Sequence, residues 1–221
     1  MFCPVVPFEA DDRLLLLDFT GKNTELTPKL LSDTALFTAY VNKKLNEAGA
    51  RYGIGGYNEH RTVYSRSPVF DTGEDDEPRR LHLGTDIWGK PYTRVMAPLD
   101  GIVHSFAFNN AYGDYGTTII LTHQLEGNVF HTLYGHLSLN SIKNVQEGET
   151  IKKGDVFAEF GIPVENGHWP PHLHFQIIYD MEGKKGDYPG VCRFSEKERY
   201  LENCPDPALL LKFDEERMIK G

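Results

Sequence analysis

Histidine and carboxylate side chains are spaced in this sequence as they are in catalytic metal sites. Residues 82–86 read HLGTD, an H-x3-D motif, and residues 172–174 read HLH, an H-x-H motif. Together they provide two imidazoles, a carboxylate and a spare imidazole. This set matches a catalytic zinc site, which has three protein ligands and a fourth position open to water or substrate. Residues 134–136 read YGH and add a further histidine between the two motifs.

The residues around these motifs follow a pattern typical of short strands. From Arg79 onward, apolar segments alternate with glycine-bearing turns at a spacing of about 8–12 residues, which is typical of an all-β barrel or sandwich. The predicted strands are 94–97, 102–108, 117–122, 129–135, 150–151, 156–160 and 173–179. The fold class is therefore predicted to be mainly β, with an antiparallel sandwich or barrel-like core.

Strand alternation predicts how the histidines point. Residues i and i+2 share a face of a strand, so His172 and His174 should face a cleft together, while the apolar residues between them face the core. The same rule places His136 on one face with Tyr134. Gly84 should let the chain bend locally within the H-x3-D motif.

The flanking segments have a different character. An amphipathic helix is predicted over 34–48, with an N-cap at Ser32-Asp33 and an end at Gly49. Residues 51–61 are rich in glycine, a composition that predicts a solvent-facing loop. We expect this loop to form one wall of a binding cleft. The acidic segment 71–80 predicts a solvated loop, and the C-terminal tail has helical character. The predicted division is an N-terminal extension at 1–78, a core at 79–182 and a C-terminal extension at 183–221.

Composition narrows the class of protein. The chain has 221 residues, of which 40% are hydrophobic, and a formal net charge of −9, so it can bury a sizeable core but should not bind nucleic acid. No apolar run is long enough to span a membrane. The N-terminus lacks the pattern of an export signal, which predicts a cytoplasmic protein, or a periplasmic or extracellular one if a signal was removed.

The motifs resemble those of the lysostaphin/LytM-type zinc metallopeptidases, which are peptidoglycan endopeptidases with a duplicated hybrid motif fold. That family has H-x3-D, Y-x-H and H-x-H-F signatures, which stand here as HLGTD, YGH and HLHF. The turn at 97–101 and the segment GETIKKG at 148–154 also resemble the family's turns. The resemblance covers about residues 79–180.

The resemblance implies a reaction and a role for each site residue. It implies that His82, Asp86 and His174 hold one Zn²⁺ per chain, while His136 and His172 sit beside the attacking water and the developing oxyanion. The implied activity is zinc-assisted hydrolysis of a peptide amide bond. The expected partner is a peptide substrate, with neither nucleic acid nor membrane.

The sequence departs from the family in the predicted substrate cleft. Before HLHF, the family's small-residue loop is replaced by a segment that contains Trp169 and two prolines. The predicted substrate-binding residues are Tyr57, Asn58, Arg61 and Trp169. A tighter cleft favours a small soluble or peptidoglycan-derived peptide. Two alternatives stay open, a non-enzymatic binding or activator module and a phosphocarrier-like cytoplasmic protein of the same fold.

Overall fold

The prediction of a mainly β protein is confirmed. The structure is a computed structural model that describes residues 2–9, 11–71, 73 and 76–220. Of the predicted loop at 71–80, positions 72, 74 and 75 lie outside the described residues. The strands are β1 (Leu14–Leu17), β2 (Tyr52–Gly55), β3 (Leu81–His82), β4 (Thr85–Trp88), β5 (Arg94–Met96), β6 (Gly101–Asn109), β7 (Gly116–Leu125), β8 (Asn128–Leu137), β9 (Thr150–Ile151), β10 (Val156–Glu159), β11 (His172–Ile178), β12 (Val191–Cys192) and β13 (Met218–Lys220).

Helices are short except for one in the N-terminal segment. The α-helices are α1 (Pro28–Ser32), α2 (Thr34–Ala48), α3 (Lys197–Asn203) and α4 (Ala208–Leu211). The 3₁₀ helices are Thr62–Arg66, Pro68–Phe70, Leu139–Ile142, Phe194–Glu196 and Glu215–Arg217. The predicted helical character of the C-terminal tail is thus confirmed. Within the described part of the chain, none of the helices is long and apolar enough to cross a membrane.

One large sheet carries the functional strands. Its strand order is β13-β1-β2-β4-β11-β8-β7-β6-β9. From β2 to β9 all neighbours are antiparallel, as predicted, but β1 lies parallel to both β2 and β13. Two small sheets, β5 with β10 and β3 with β12, flank it. The N-terminal segment therefore extends the sheet of the core.

The predicted loop at 51–61 is wrong in its first half. Residues Tyr52–Gly55 form β2, in which every residue is buried between β1 and β4. Glycine is disfavoured in strands, so its local preference predicts a loop, but pairing with two distant strands overrides that preference here. The remainder of the segment turns back towards the metal motifs.

Helix α2 matches its predicted bounds. The side chain of Asp33 accepts hydrogen bonds from the backbone nitrogens of Ala35 and Leu36, and Gly49 ends the helix with a left-handed φ of 59°. One face buries Phe37, with Val41 and Leu45 at the following turns. This apolar stripe packs over the aromatic residues beside the predicted cleft.

The predicted alternation fails at His136. Tyr134 packs against Phe175 in the core, with ring centroids 5.3 Å apart, whereas His136 lies against His172, on the other face of β11. The cause is local, because His136 has a positive φ of 62° and the pairing of β7 with β8 shifts register beside it. His136 therefore does not share a face with Tyr134.

Candidate metal and active site

Three neighbouring chain segments bring the predicted ligands together. His82 ends β3, Asp86 lies in β4, and His174 of β11 is the direct cross-strand partner of Asp86. Between the first two, Gly84 provides space, because a Cβ there would meet the His174 ring at 2.6 Å. The glycine predicted to bend the motif is thus needed for close approach of the His174 ring. All three side chains are buried, with exposures of 0% to 3%.

The donor atoms of these residues form a nearly equilateral triangle. His82 Nε2 lies 3.0 Å from His174 Nδ1, and Asp86 Oδ1 lies 3.2 Å from His82 Nε2 and 3.1 Å from His174 Nδ1. Donor atoms that share a tetrahedral zinc ion lie about 3.3 Å apart, given metal–ligand distances of about 2.0 Å. The residues present therefore fit a zinc ion. Among the described residues, this is the group of three that could hold a metal.

The remaining nitrogen of each ligand histidine has its own partner. His82 Nδ1 lies 2.8 Å from the backbone oxygen of Gly56, so it carries a proton and donates it. His174 Nε2 lies 2.9 Å from Gln176 Oε1. Such outer partners fix the tautomer and the ring orientation of metal-binding histidines. Both rings are thus held with one nitrogen available for the shared centre of the triangle.

Burial and charge keep these groups in the ionisation states that a metal requires. Burial, followed by the neighbouring Arg61 guanidinium, lowers the pKa of His82 to about 4. Burial opposes ionisation of Asp86, but His82 and Arg61 outweigh it and hold the pKa of this carboxyl well below its usual value. A neutral imidazole and an ionised carboxylate are the forms that bind zinc.

His136 and His172 form a second pair beside the ligands. Their ring centroids lie 4.1 Å apart. His136 Nδ1 lies 2.8 Å from the backbone oxygen of Asn166, and His172 Nδ1 lies 2.7 Å from that of Pro170. Since a carbonyl only accepts, both Nδ1 atoms carry the proton, which leaves both Nε2 atoms as acceptors. Burial lowers the pKa of His172 to about 4, and burial together with His172 holds the pKa of His136 well below its usual value.

Tyr115 is a site residue that the sequence analysis missed. Its hydroxyl lies 3.4 Å from His174 Nε2, and its ring packs against His136 and His174. Burial raises the pKa of the phenol well above its usual value, so the hydroxyl keeps its proton and can donate it in a hydrogen bond. No motif marks Tyr115, because it reaches the site from the turn before β7.

His136, His172, His174 and Asp86 line a cavity of about 140 Å³. Its walls include the aromatic side chains of Tyr64, Phe70, Trp88, Tyr115 and Trp169. Trp88 stacks on His172 with ring centroids 3.8 Å apart, and Trp169 lies 6.2 Å from His136.

The predicted substrate residues lie in three different environments. Trp169 lines the cavity and is 3% exposed. Tyr57 and Asn58 instead line a separate surface depression, and the hydroxyl of Tyr57 donates to the backbone oxygen of Cys204 at 2.6 Å. Arg61 reaches the cavity but is 1% exposed and is bonded to Asp86, which is at odds with direct binding of substrate.

Comparisons with known proteins match the middle of the chain. Residues 80–187 match the sequence model of peptidase family M23. An uncharacterised metalloprotease of Haemophilus influenzae is 35% identical over 99 residues, which are 44% of this chain and 18% of that protein. An L-Ala–D-Glu endopeptidase of Bacillus subtilis is 26% identical over 170 residues, which are 75% of this chain and 48% of that protein. The chain thus spans less than half the length of either relative.

Two solved structures are also similar to the chain. A zinc-containing peptidase from Vibrio cholerae has 28% identity and a TM-score of 0.36, over 44% of this chain and 27% of that one. The catalytic domain of lysostaphin from Staphylococcus simulans has 23% identity and a TM-score of 0.46, over 80% of this chain and 98% of that one.

Proposed function

We propose, from the premise that residues 80–187 are a domain of peptidase family M23, that this protein is a zinc-dependent peptidase acting on small peptides. The observation that carries the proposal is the triangle of donor atoms from His82, Asp86 and His174, whose sides measure 3.0 to 3.2 Å. The triangle faces a cavity that also contains two further histidines. Three metal donors beside neutral imidazoles are the kinds of protein group that metal-assisted amide hydrolysis uses.

His82, Asp86 and His174 would hold the zinc ion. Bound there, zinc would lower the pKa of a water molecule towards about 7 and polarise the carbonyl of the scissile amide. The partners of the outer nitrogens, Gly56 and Gln176, would keep both imidazole rings in place when substrate enters.

His136 and His172 would handle the proton of the attacking water. Their Nε2 atoms are free acceptors because the Nδ1 atoms are bonded to backbone oxygens. Their lowered pKa values keep both rings neutral near pH 7, the state in which an imidazole can accept a proton. A ring that has accepted this proton can then donate to the developing oxyanion or to the leaving nitrogen.

Tyr115 would supply a hydrogen bond to the developing oxyanion. Its ring packs against His136 and His174, and its hydroxyl lies 3.4 Å from His174 Nε2 and remains protonated. A donor that is already in place needs no reorganisation during the reaction, which is why such groups lower the barrier effectively.

The enclosure of the site favours a small substrate. The five ionisable groups that would bind metal or move protons are all at most 6% exposed. Tyr64 and Phe70 cover them from the N-terminal segment, and Trp169 from the loop before β11. We expect a short flexible peptide to reach these buried groups more easily than a cross-linked polymer does.

Metal analysis and a peptide assay together test this function. Protein purified without added metal should contain one zinc ion per chain by elemental analysis. A panel of short peptides, followed by mass spectrometry, should show cleavage that stops with a chelator and returns with zinc. Intact peptidoglycan sacculi serve as the competing substrate. Efficient digestion of sacculi, undiminished in Trp169→Ala, would contradict the proposed substrate class and the proposal that substrate binds in the cavity. Stoichiometric zinc without hydrolysis of any substrate would favour a binding or activator module.

A further inference from the structure

The side chain of Arg61 is almost completely buried yet carries a full charge. It is 1% exposed, and its Nη1 lies 2.5 Å from Asp86 Oδ2. Its Nε lies 2.6 Å from Glu59 Oε2, and its Nη2 donates to the backbone oxygen of Gly56 at 3.1 Å. Each nitrogen of the guanidinium therefore has an acceptor, and one of these acceptors belongs to a residue of the donor triangle.

The contact with Arg61 divides the two oxygens of Asp86 between two tasks. Oδ2 is taken by Arg61, while Oδ1 is the oxygen that faces His82 and His174. A carboxylate held in this way can offer one oxygen to a metal and cannot swing to offer both. An arginine fork fixes direction as well as charge, which a lysine ammonium does not.

The charged groups around Arg61 have a net negative charge, which favours the binding of a cation. Arg61 alone would repel a divalent ion, but Glu59 and Asp86 place two negative charges against its single positive one. The side chain of Glu59 is 16% exposed, so its charge is only partly screened by water. Arg61 can thus orient Asp86 without making the site positive.

The backbone of the same segment is shaped to admit this arginine. Gly55 is the cross-strand partner of Asp86, and a Cβ at Gly55 would meet Arg61 Nη2 at 2.7 Å. The next residue, Gly56, accepts hydrogen bonds from both His82 and Arg61. Residues 55–61 thus contact two of the three donor residues, and they precede the segment that matches the peptidase family.

We infer that Arg61 is a positioning residue that holds Asp86 as a one-oxygen metal ligand, and that residues 55–61 form an outer shell of the metal site. The inference rests on the zinc site of the proposed function and adds to it a structural role for a segment outside the peptidase domain. Arg61 acts through Asp86 and need not touch substrate.

The test compares metal binding in Arg61→Met, Arg61→Lys and the wild type. Zinc affinity is measured by chelator competition, and ligand geometry by the visible spectrum of the cobalt-substituted protein. Arg61→Met should weaken zinc binding by about 10–100-fold, the usual effect of losing an outer-shell partner. It should also change the cobalt spectrum, since Asp86 can then offer both oxygens. Arg61→Lys should restore part of the affinity because it keeps the charge but not the fork.

The matched control is Arg51→Met, which removes an arginine paired with Asp12 at 2.6 Å in the same N-terminal segment. It should leave zinc affinity and the cobalt spectrum unchanged. Thermal unfolding establishes that each variant is folded. If Arg61→Met does not fold, Arg61→Lys decides the question with the same two measurements.

Folded variants at Arg61 with wild-type zinc affinity and an unchanged cobalt spectrum would overturn the inference and leave the proposed function intact. A wild-type protein that binds no zinc would refute the proposed metal site itself. The two failures are therefore distinguishable.

Discussion

Two regions of the sheet surround the same cavity but contribute different kinds of groups. The strands of residues 80–187 provide His82, Asp86, His136, His172 and His174, the groups that could bind metal or transfer protons. The N-terminal region, residues 2–71, provides Gly56 and Arg61 as partners of those groups and aromatic side chains as walls. One region provides the candidate reactive groups, and the other provides contacts that orient and cover them.

The difference follows from how each region joins the sheet. In the 80–187 region, β4 and β11 pair directly, which sets His174 opposite Asp86 by backbone register. The N-terminal region joins through β2, whose Gly55 pairs with Asp86 on the opposite edge of β4. Strand β4 is therefore paired on both edges, and the Asp86 carboxylate directs one oxygen towards each of the two regions.

The largest effect is expected from removing a ligand in the 80–187 region. His174→Ala should lose its zinc and at least about 10⁴ in kcat/KM, because both the bound water and the polarised carbonyl depend on the metal. Zinc content by elemental analysis and peptide hydrolysis are the measurements. His104→Ala, a half-buried histidine of β6 that does not line the cavity, is the control and should keep both. Full zinc occupancy in His174→Ala and also in His82→Ala would break the assignment of the ligands.

A smaller effect should separate the proton-transfer pair from the ligands. His136→Ala and His172→Ala should retain zinc while kcat falls by about 10²–10⁴, the usual contribution of general acid–base groups. Their rings are near the donor triangle but their Nδ1 atoms are bonded to backbone oxygens. Loss of zinc in His172→Ala, with zinc retained in His174→Ala, would mean that the two histidines of the H-x-H motif have exchanged roles.

A third effect should appear in the pH dependence of stability. Burial lowers the pKa of His172 to about 4, below the value of about 6.5 in an unfolded chain. Between these values the unfolded state binds a proton that the folded state does not. The free energy of unfolding should therefore fall with decreasing pH, by about 1.4 kcal/mol per pH unit for this group.

Urea unfolding of the metal-free protein between about pH 7 and about pH 5 measures this slope. The variant His172→Gln should show a shallower slope than the wild type, because it removes one of the groups that resist protonation in the folded state. Parallel slopes for the two proteins would contradict a buried neutral ring at this position.

The smallest effect should sharpen the comparison from the N-terminal side. Asp33→Ala removes the two hydrogen bonds that begin helix α2 and should lower the free energy of unfolding by about 1 kcal/mol. Zinc content and kcat should not change, because α2 packs on aromatic residues of the cavity wall and not on the residues of the donor triangle. Asp33→Ser keeps a capping oxygen and is the matched control. A fall in kcat in Asp33→Ala alone would show that the N-terminal region takes part in the chemistry as well.

The sequence predicted those features whose signals are local. The bounds of helix α2 follow from an N-cap, an apolar stripe and a glycine, all of which lie within residues 33–49. The strands from β5 to β11 were predicted because each is a short apolar run between turns. The residues of the donor triangle could be predicted for the same reason, since they occur in two short motifs.

The features that were missed depend on contacts between distant segments. Strand β2 reads as a loop because its glycines are favourable only when β1 and β4 lie on either side. The orientation of His136 depends on its positive φ, which alternation cannot predict. Tyr115 belongs to no motif, and Arg61 was predicted as a substrate-binding residue and not as a partner of Asp86, because only the register of the sheet brings them to the cavity.

The parallel pairing of β1 with β13 has a consequence for the order of folding. Leu14 pairs with Met218, so this contact closes a loop of about 200 residues, whereas the β6–β7 and β7–β8 hairpins close short turns. Short loops lose less chain entropy on closure, so we expect these hairpins to form early and the β1 edge to form late. Arg61 and Asp86 lie 25 residues apart in the chain, whereas Asp86 and His174 lie 88 apart, so the contact of Arg61 with Asp86 should form before the donor triangle is complete. A nascent chain would then acquire the arginine that aligns Asp86 before it acquires its last zinc ligand, and tight metal capture would report the docking of β11.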